Sequence, residues 1–262
     1  MPVLNERNGI EQVLREIRGA LGEVSYTICI VDDGSNDGTR EAIEALMSKD
    51  ERIHLIRRVR ERAGCQRGAA SRVALEWLVA HTTHSVFVEI DADGAQRPAE
   101  LLSGARQVGL LDYDVAIASK YVYGSKVIGR SLGRRVISRL YSGLARLLLD
   151  RRIRDYSNSY RFYTRTAAEF LLTSKPRYAS PVYLLEILAQ WMANGFRVIE
   201  IPTVYVERSH GRSKVTFVDL IKGVLGTFDI ARRFHRTHSL AERRHDVLWD
   251  PPQGVAQGPP ST

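Results

Sequence analysis

The chain has 262 residues, of which 44% are hydrophobic, and its net charge of +8 comes from 38 basic and 30 acidic side chains. This composition excludes a disordered protein, and no stretch is long and apolar enough to form a bilayer-spanning helix. Two cysteines are too few for a disulfide framework, so the sequence predicts a cytoplasmic globular protein. The basic excess indicates an anionic partner, such as a phosphorylated substrate, a lipid headgroup or nucleic acid.

Strand and helix signals alternate along the first half of the chain. Apolar, β-branched runs predict strands, and spaced apolar residues after turns predict helices. The predicted elements are a strand at 26–31, a helix after Asp37, a strand at 52–59, a helix at 67–80, a strand at 85–90, a helix after Pro98 and a strand at 113–119. This alternation predicts an α/β fold with a mostly parallel, Rossmann-like sheet and helices on both faces.

The second half is more basic and more helical. It predicts helices at 128–149, 182–193 and 217–234, the first and last of them amphipathic. The segment 197–208 reads as a strand or strand pair interrupted at Pro202. We expect one folded domain at residues 1–235 and a polar, disordered tail at 236–262.

Acidic side chains follow two of the predicted parallel strands. Asp32 and Asp33 end the first strand, and Asp91 and Asp93 follow the third. Such sheets bind ligands at the carboxyl ends of their strands, and two carboxylates one residue apart suit a hard divalent cation. Taken alone, Asp91 and Asp93 are better explained as part of a polar turn, because short Asp-x-Asp motifs are common by chance. The segment that contains Asp32 and Asp33 is more specific, although part of it serves as a helix cap and turn. The order of the two acidic motifs within a repeating strand–helix pattern favours a ligand site.

Eight segments, taken in order, resemble the family-two glycosyltransferases of GT-A fold, and most closely the dolichol-phosphate mannosyltransferases and bacterial polyprenol-phosphate glycosyltransferases. The segments are PVLNE (2–6), IVDDGSNDGT (30–39), EIDADGAQRPAEL (89–101), ASKYVYGS (118–125), RRVISR (134–139), DYSNSYRFY (155–163), LLEIL (184–188) and IPTVYVERSHGRSK (201–214). The resemblance implies a GT-A fold with C-terminal amphipathic helices. It also implies an inverting enzyme that moves a hexose from a GDP- or UDP-sugar to a polyprenyl (dolichyl-type) phosphate, with Mg²⁺ or Mn²⁺ as cofactor.

The resemblance implies roles for individual residues on the donor side. Six residues would bind the nucleotide-sugar: Pro2, Glu6, Asp33, Asp91, Arg208 and Lys214. Asp91 and Asp93 would hold the metal, and Lys214 would stabilise the departing diphosphate.

On the acceptor side, three residues match positions that hold the lipid phosphate: Lys120, Arg134 and Ser138. An anionic phosphate needs cations to position it more than it needs a general base. Arg134 is therefore predicted to be catalytic, together with Asp93 and Lys214. Asp155 and Glu186 fall in segments that shape the acceptor side.

Three departures from the family pattern modify these expectations. The family has a strand immediately before PVLNE that this sequence lacks, so we expect either a missed upstream start or a fold without that strand. Ala95 stands where the family has Gln or Ser, which makes Gln96 an alternative third metal ligand. Ser159 replaces a usual glycine and adds a hydroxyl near the acceptor, which predicts an altered acceptor.

Other functions are compatible with the same residues. An enzyme of this fold could act on a soluble hydroxyl of a natural product or polysaccharide, for which Asp155 or Glu186 would be the general base. The chain could also be an inactive relative, or a basic binding module. We expect no nucleic-acid partner, because aromatic residues are not interleaved with the arginine clusters.

The helices at 128–149 and 217–234 each carry an apolar stripe beside cationic residues. Such a stripe commonly packs into a core, but it also suits a helix that lies on anionic lipid. Because the resemblance supplies a lipid acceptor, we expect peripheral attachment to the cytoplasmic membrane face, alone or through a membrane partner subunit.

Overall fold

The computed structural model describes residues 1–59, 65–207 and 217–238. Within these ranges the strands are β1 (Pro2–Val3), β2 (Ile28–Asp32), β3 (Ile53–Arg57), β4 (Val86–Glu89), β5 (Val115–Ser119), β6 (Lys126–Ile128), β7 (Arg161–Thr164), β8 (Val198–Pro202) and β9 (Val204–Val206). The helices are α1 (Ile10–Leu21), α2 (Thr39–Met47), α3 (Arg67–His81), α4 (Leu101–Gly109), α5 (Leu132–Leu148), α6 (Arg165–Ser174), α7 (Tyr183–Ala193) and α8 (Phe217–His238). The order confirms the predicted α/β class.

The strands form two main sheets. β1, β2 and β3 are parallel neighbours in one sheet. The second sheet has the order β4-β7-β5-β8, in which β5 and β8 are parallel and β7 runs antiparallel to both of its neighbours. β6 and β9 form a separate parallel pair. The sheets are therefore mostly parallel, as predicted, with β7 as an unpredicted antiparallel insertion.

Helices cover both faces of the sheets and create two large apolar clusters. One cluster joins α1, α2 and α4 to the strands through residues such as Ile10, Ile43 and Leu101. The other joins α3, α6 and α7 through residues such as Leu75 and Trp191. Burial of these side chains fixes the strand ends relative to one another, and it is at those ends that the acidic motifs lie.

The N-terminal strand differs from expectation. Pro2 and Val3, which begin the PVLNE segment, pair in parallel with Val31 and Asp32. The Met1 ammonium group donates a hydrogen bond to the Cys29 carbonyl (2.8 Å), and burial lowers the pKa of this amino group. The PVLNE segment therefore forms a two-residue strand beside β2.

Several predicted boundaries also shift. The helix expected at 128–149 begins at Leu132, because Lys126–Ile128 is a strand. The interruption expected at Pro202 is confirmed, since β8 ends there and β9 begins two residues later. The helix expected at 217–234 continues to His238, so the first three residues of the predicted tail are helical instead of disordered. Residues 239–262 lie outside the described residues, and their disorder stays a prediction.

Candidate active site

A cleft of about 680 Å³ opens at the carboxyl ends of β1, β2 and β4. Seven of the residues predicted from the sequence line it: Pro2, Glu6, Asp33, Asp91, Asp93, Arg134 and Ser138. The structure therefore brings most of the predicted donor and acceptor residues together. Arg208 and Lys214 lie outside the described residues, so their roles stay predictions.

One end of the cleft is built from two loops that are tied together by hydrogen bonds. The backbone N–H of Asn5 donates to Ser35 Oγ (2.9 Å), and the backbone N–H of Glu6 donates to Thr39 Oγ1 (2.9 Å). In return, the backbone N–H of Asn36 donates to Asn5 Oδ1 (2.9 Å). These contacts hold the segment after β1 against the loop after β2, and they place Glu6 on the cleft wall.

Asp33 is buried at this end and is ion-paired with the Arg58 guanidinium. Arg58 also donates to Gln66 Oε1 (2.6 Å). Sequence reasoning missed Arg58 and Gln66. Arg58 directly follows β3, so the rule that ligands bind at the ends of parallel strands could have pointed to it.

Asp91 and Asp93 follow β4 and both face the cleft. Asp93 accepts a hydrogen bond from the Ala95 amide (3.1 Å). No group of three or more His, Cys, Asp or Glu side chains that could hold a metal occurs among the described residues. Two cleft-facing carboxylates nevertheless fit Mg²⁺ or Mn²⁺, because such cations commonly take one or two protein carboxylates and complete their shell with water and substrate phosphates.

Gln96, the alternative third metal ligand, is not among the residues that line the cleft. Its side chain is buried, and its amide oxygen accepts from the Asp91 backbone N–H (2.8 Å). Its amide nitrogen donates to Asp91 Oδ2 (3.1 Å) and to Ser159 Oγ (2.7 Å). Gln96 therefore orients Asp91, and the Ser159 hydroxyl points to the same carboxylate.

Arg67, the first residue of α3, provides a cation beside these carboxylates. Its guanidinium is ion-paired with Asp91 and lies 3.2 Å from Glu89 Oε1. The Ser71 hydroxyl also donates to Glu89 (2.8 Å). Sequence reasoning did not single out Arg67, because its partners lie more than twenty residues away along the chain.

The middle of the cleft is cationic. The Arg134 guanidinium is ion-paired with Glu207, and Arg130 Nε lies 4.0 Å from the same carboxylate. Ser138, one turn of α5 further on, shares a hydrogen bond with the Tyr121 hydroxyl (2.6 Å). Arg130 and Glu207 line the cleft beside Arg134 and were not predicted. An anion that binds here would compete with Glu207 for Arg134.

Lys120 and Asp155 form a buried ion pair, with Lys120 Nζ 3.0 Å from Asp155 Oδ2. Burial lowers the pKa of Lys120, although Asp155 opposes this. Burial would raise the pKa of Asp155, but the charge of Lys120 and several hydrogen bonds outweigh it and lower that pKa. Neither side chain is part of the cleft wall. The structure thus places both predicted acceptor residues behind the cleft.

Glu186 is also buried away from the cleft wall. It accepts hydrogen bonds from Arg233 Nη1 (2.8 Å) and from the Tyr178 backbone N–H (2.9 Å). These bonds attach α7 to α8 and to the segment before α7. In this structure Glu186 therefore joins helices, and its role on the acceptor side stays a prediction.

A buried arginine holds the loop before β7 against helix α7. Arg161 donates to the carbonyl oxygens of Asn158 (2.9 Å), Leu184 (2.6 Å) and Tyr156 (3.3 Å). Complete burial lowers its pKa to about 10. Its three bonds join the loop before β7 to helix α7, on the side where the cleft becomes apolar.

Another part of the cleft wall is apolar, and we call it the apolar exit. It is lined by five residues of α5, α7, α8 and the segment before α7: Ile137, Tyr141, Val182, Leu184 and Gly223. Helix α5 turns its small residues Ser138, Ser142 and Ala145 toward the protein.

Several larger apolar residues of α5 are exposed, with Leu132 and Leu140 exposed to 77% and 68%, whereas Tyr141 and Leu148 pack against the core. Val136 and Leu147 of α5 are also exposed, as are Leu225 and Phe228 of α8. For these residues the structure contradicts packing into the core. Among the described residues, no helix has the length and apolar character needed to cross a bilayer.

Comparisons with known proteins identify relatives over most of the chain. Residues 1–172 match the glycosyl transferase family 2. The polyprenol monophosphomannose synthase of Mycolicibacterium smegmatis is 34% identical over 245 residues, which cover 88% of each chain. The undecaprenyl-phosphate mannosyltransferase of Micrococcus luteus is 26% identical over 219 residues, which cover 82% of this chain and 86% of that one.

Solved structures agree in fold. Glucosyl-3-phosphoglycerate synthase from Mycobacterium tuberculosis, in complex with uridine diphosphate, matches with a TM-score of 0.60 and 18% identity, covering 88% of this chain and 78% of that one. A complex of the same enzyme with Mn²⁺, UDP-glucose and glycerol 3-phosphate matches with a TM-score of 0.56 and 19% identity, covering 90% of this chain and 76% of that one. At this identity the likeness shows a shared fold.

Proposed function

The chain belongs to glycosyltransferase family 2, and we propose that it transfers a hexose, with mannose as the first candidate, from a GDP- or UDP-sugar to a polyprenyl phosphate. The two relatives described above are named as a polyprenol monophosphomannose synthase and an undecaprenyl-phosphate mannosyltransferase. The single observation that carries the proposal is the composition of the cleft wall. Carboxylates that follow parallel strands, arginines at the amino end of α5 and apolar side chains of α5 and α7 line one and the same cleft, and these are the three kinds of surface that a nucleotide-sugar and a lipid phosphate require.

The acidic end would hold the donor. Pro2, Glu6 and Asp33 line the pocket that suits the nucleoside, and Asp91 and Asp93 would hold Mg²⁺ or Mn²⁺. When bound, such a cation neutralises charge on a diphosphate leaving group. The two carboxylates would therefore anchor the donor diphosphate through the cation, on the same cleft wall as the arginines of α5.

The cationic middle would position the acceptor phosphate. Arg134 and Arg130 can hold a phosphate oxygen in line with the anomeric carbon, and Ser138 lies one turn away. This oxygen would form the new bond to the anomeric carbon as the bond to the diphosphate breaks on the opposite face, which inverts the configuration. A phosphate monoester is largely deprotonated at neutral pH, since its second pKa is about 6, so the reaction needs no general base.

A soluble hydroxyl acceptor is less well supported. A hydroxyl would have to lose its proton to a base in the cleft. Asp155 is buried against Lys120, and Glu186 is buried against Arg233, so neither predicted base faces the cleft. These positions favour an acceptor that arrives already anionic.

The exposed apolar face of α5 supports peripheral membrane attachment. Ile137 and Tyr141 line the apolar exit, and Leu132 and Leu140 lie on the outer side of the same helix. Exposed arginines, including Arg139, stand beside this face and would attract anionic headgroups. A helix that rests on the bilayer would let the acceptor phosphate enter the cleft while its lipid tail stays in the membrane.

Turnover assays test the proposed function directly. The protein is incubated with Mn²⁺ or Mg²⁺, polyprenyl phosphate and a panel of GDP- and UDP-sugars, and sugar-loaded lipid is measured by mass spectrometry. We expect one nucleotide-sugar to be used, and we expect Asp93→Ala to lower turnover by about 100-fold or more. Transfer to a soluble alcohol without transfer to any lipid phosphate would overturn the acceptor assignment. Equal rates for Asp93→Ala and wild type would overturn the metal assignment.

A further inference from the structure

Asp91 sits in a closed hydrogen-bonded ring with Gln96 and Ser159. Its Oδ2 atom accepts from the Ser159 hydroxyl (2.8 Å) and from the Gln96 amide nitrogen (3.1 Å). The Gln96 amide nitrogen donates its second hydrogen to Ser159 Oγ (2.7 Å), and the Gln96 amide oxygen accepts from the Asp91 backbone N–H (2.8 Å). Both N–H donors and the oxygen of the Gln96 amide have a partner, which fixes the amide in one orientation.

The two carboxylate oxygens of Asp91 have different partners. Oδ2 already accepts two hydrogen bonds inside the protein, whereas Oδ1 faces Arg67 in the cleft. Gln96 and Ser159 are both buried, so water does not compete strongly for their bonds. Bonds of this kind hold a carboxylate in one rotamer and leave one oxygen directed to the cleft.

We propose that Ser159 and Gln96 are positioning residues that hold Asp91 with Oδ1 directed to the metal and donor phosphates. This inference rests on the proposed function, because it assigns the ring to the cation that Asp91 and Asp93 would hold. Partners of a metal-binding carboxylate orient it, and their loss typically weakens metal affinity or activity by about 10- to 100-fold. The Ser159 hydroxyl, expected from the sequence to alter the acceptor, instead acts on the donor side.

Arg67 explains why the orientation matters. Its guanidinium is ion-paired with Oδ1 of Asp91, and it also contacts Glu89. A divalent cation must compete with this guanidinium for Oδ1. An Asp91 side chain that could rotate would spend less time with Oδ1 directed to the cleft, and the cation would then compete less well with Arg67.

Mn²⁺ binding measured without turnover tests the inference. Mn²⁺ is titrated into wild type, Ser159→Ala and Gln96→Met in the presence of GDP or UDP, and binding is followed by water-proton relaxation enhancement. We expect each variant to bind Mn²⁺ at least about tenfold more weakly. Ser157→Ala is the matched control, because it removes a hydroxyl two residues away that donates to Asp155 (2.9 Å) instead. This control is expected to keep the wild-type affinity for Mn²⁺.

The outcomes separate the inference from the function on which it rests. If wild type binds Mn²⁺ and both ring variants bind it equally well, the ring has no positioning role. If wild type binds no Mn²⁺ with either nucleotide, the metal assignment of the proposed function fails, and this inference fails with it. Urea unfolding midpoints identify a variant that is merely unfolded, and the other ring variant then decides. A rise in the Mn²⁺ concentration needed for half-maximal turnover, with turnover restored at saturating Mn²⁺, would add kinetic support.

Discussion

Removing two exposed leucines from α5 should release the protein from anionic membranes. Leu132 and Leu140 lie on the outer side of the helix, and their side chains are 77% and 68% exposed. We expect the double variant Leu132→Ser/Leu140→Ser to bind vesicles much more weakly than wild type, because both side chains would otherwise enter the apolar region of the bilayer.

The size of the effect follows from the exposed fractions. Full burial of a leucine side chain stabilises by about 1.5–3 kcal/mol. With roughly 70% of each side chain available for burial, each leucine contributes about 1–2 kcal/mol, and two contribute about 2–4 kcal/mol. Since about 1.4 kcal/mol corresponds to a factor of ten, the partition coefficient should fall at least about 25-fold.

The assay is cosedimentation with vesicles of phosphatidylcholine mixed with phosphatidylglycerol, compared with phosphatidylcholine alone. The chain provides a matched control in Leu110 and Leu111, which are 77% and 54% exposed. They follow α4 beside the amino end of β4, at the opposite edge of the sheet from the cleft. The double variant Leu110→Ser/Leu111→Ser should bind mixed vesicles like wild type.

Two results would refute the reasoning. Equal loss of binding in both double variants would mean that general surface hydrophobicity, and not α5, drives attachment. Undiminished binding of the α5 variant would mean that this face does not meet the membrane. Weaker binding at high salt is also expected, because attraction between arginines and headgroups is screened.

Further predictions concern charge in the cleft and stability toward acid. Arg134→Gln should raise the KM for polyprenyl phosphate about tenfold, whereas Arg139→Gln, on the exposed side of α5, should leave it within about twofold. Glu207→Gln should lower that KM by about two- to fivefold, because it removes the anion paired with Arg134, and an unchanged KM would contradict this competition. Hydrogen bonds from Arg52 lower the pKa of Asp50 to about 2. The stability that they contribute should be fully present above about pH 4 and lost as the pH falls toward about 2. Urea unfolding should therefore find Asp50→Asn less stable than wild type at neutral pH, with a gap that closes in acid, and a constant gap would contradict the assignment.

Much of the fold could be predicted because buried parallel strands are apolar and are separated by helices. The family inferred from eight ordered segments is confirmed by the family match and by the mycobacterial relative. The carboxylates could be located because they directly follow such strands. Asp33, Asp91 and Asp93 therefore reached the cleft as expected.

Strand β7 escaped prediction for a physical reason. It lies in a polar stretch and begins with Arg161, a residue that rarely occupies a fully buried strand position. Its strand conformation depends on pairing with β4 and β5, which are distant in the sequence. The charge of Arg161 is tolerated because three carbonyl oxygens accept its hydrogen bonds.

Contacts within the site were similarly invisible in local patterns. Ser159 and Asp91 are 68 residues apart, and only the fold brings the hydroxyl to the carboxylate. The periodicity of α5 indicated an apolar stripe but could not show which side faces solvent. The structure shows that the side with the small residues Ser138, Ser142 and Ala145 packs against the protein, so the opposite side faces solvent.

The strand order β4-β7-β5-β8 also has a consequence for the order in which the chain can fold during synthesis. Both neighbours of β5 come from later parts of the chain, at Arg161–Thr164 and Val198–Pro202. In a nascent chain that ends after β5, this strand, which is wholly buried in the folded protein, has no hydrogen-bonding partner from its sheet. The second sheet cannot close until β8 has left the ribosome. A fragment cut at residue 172, where the family match ends, would keep β7 but leave one edge of β5 bare and prone to aggregate.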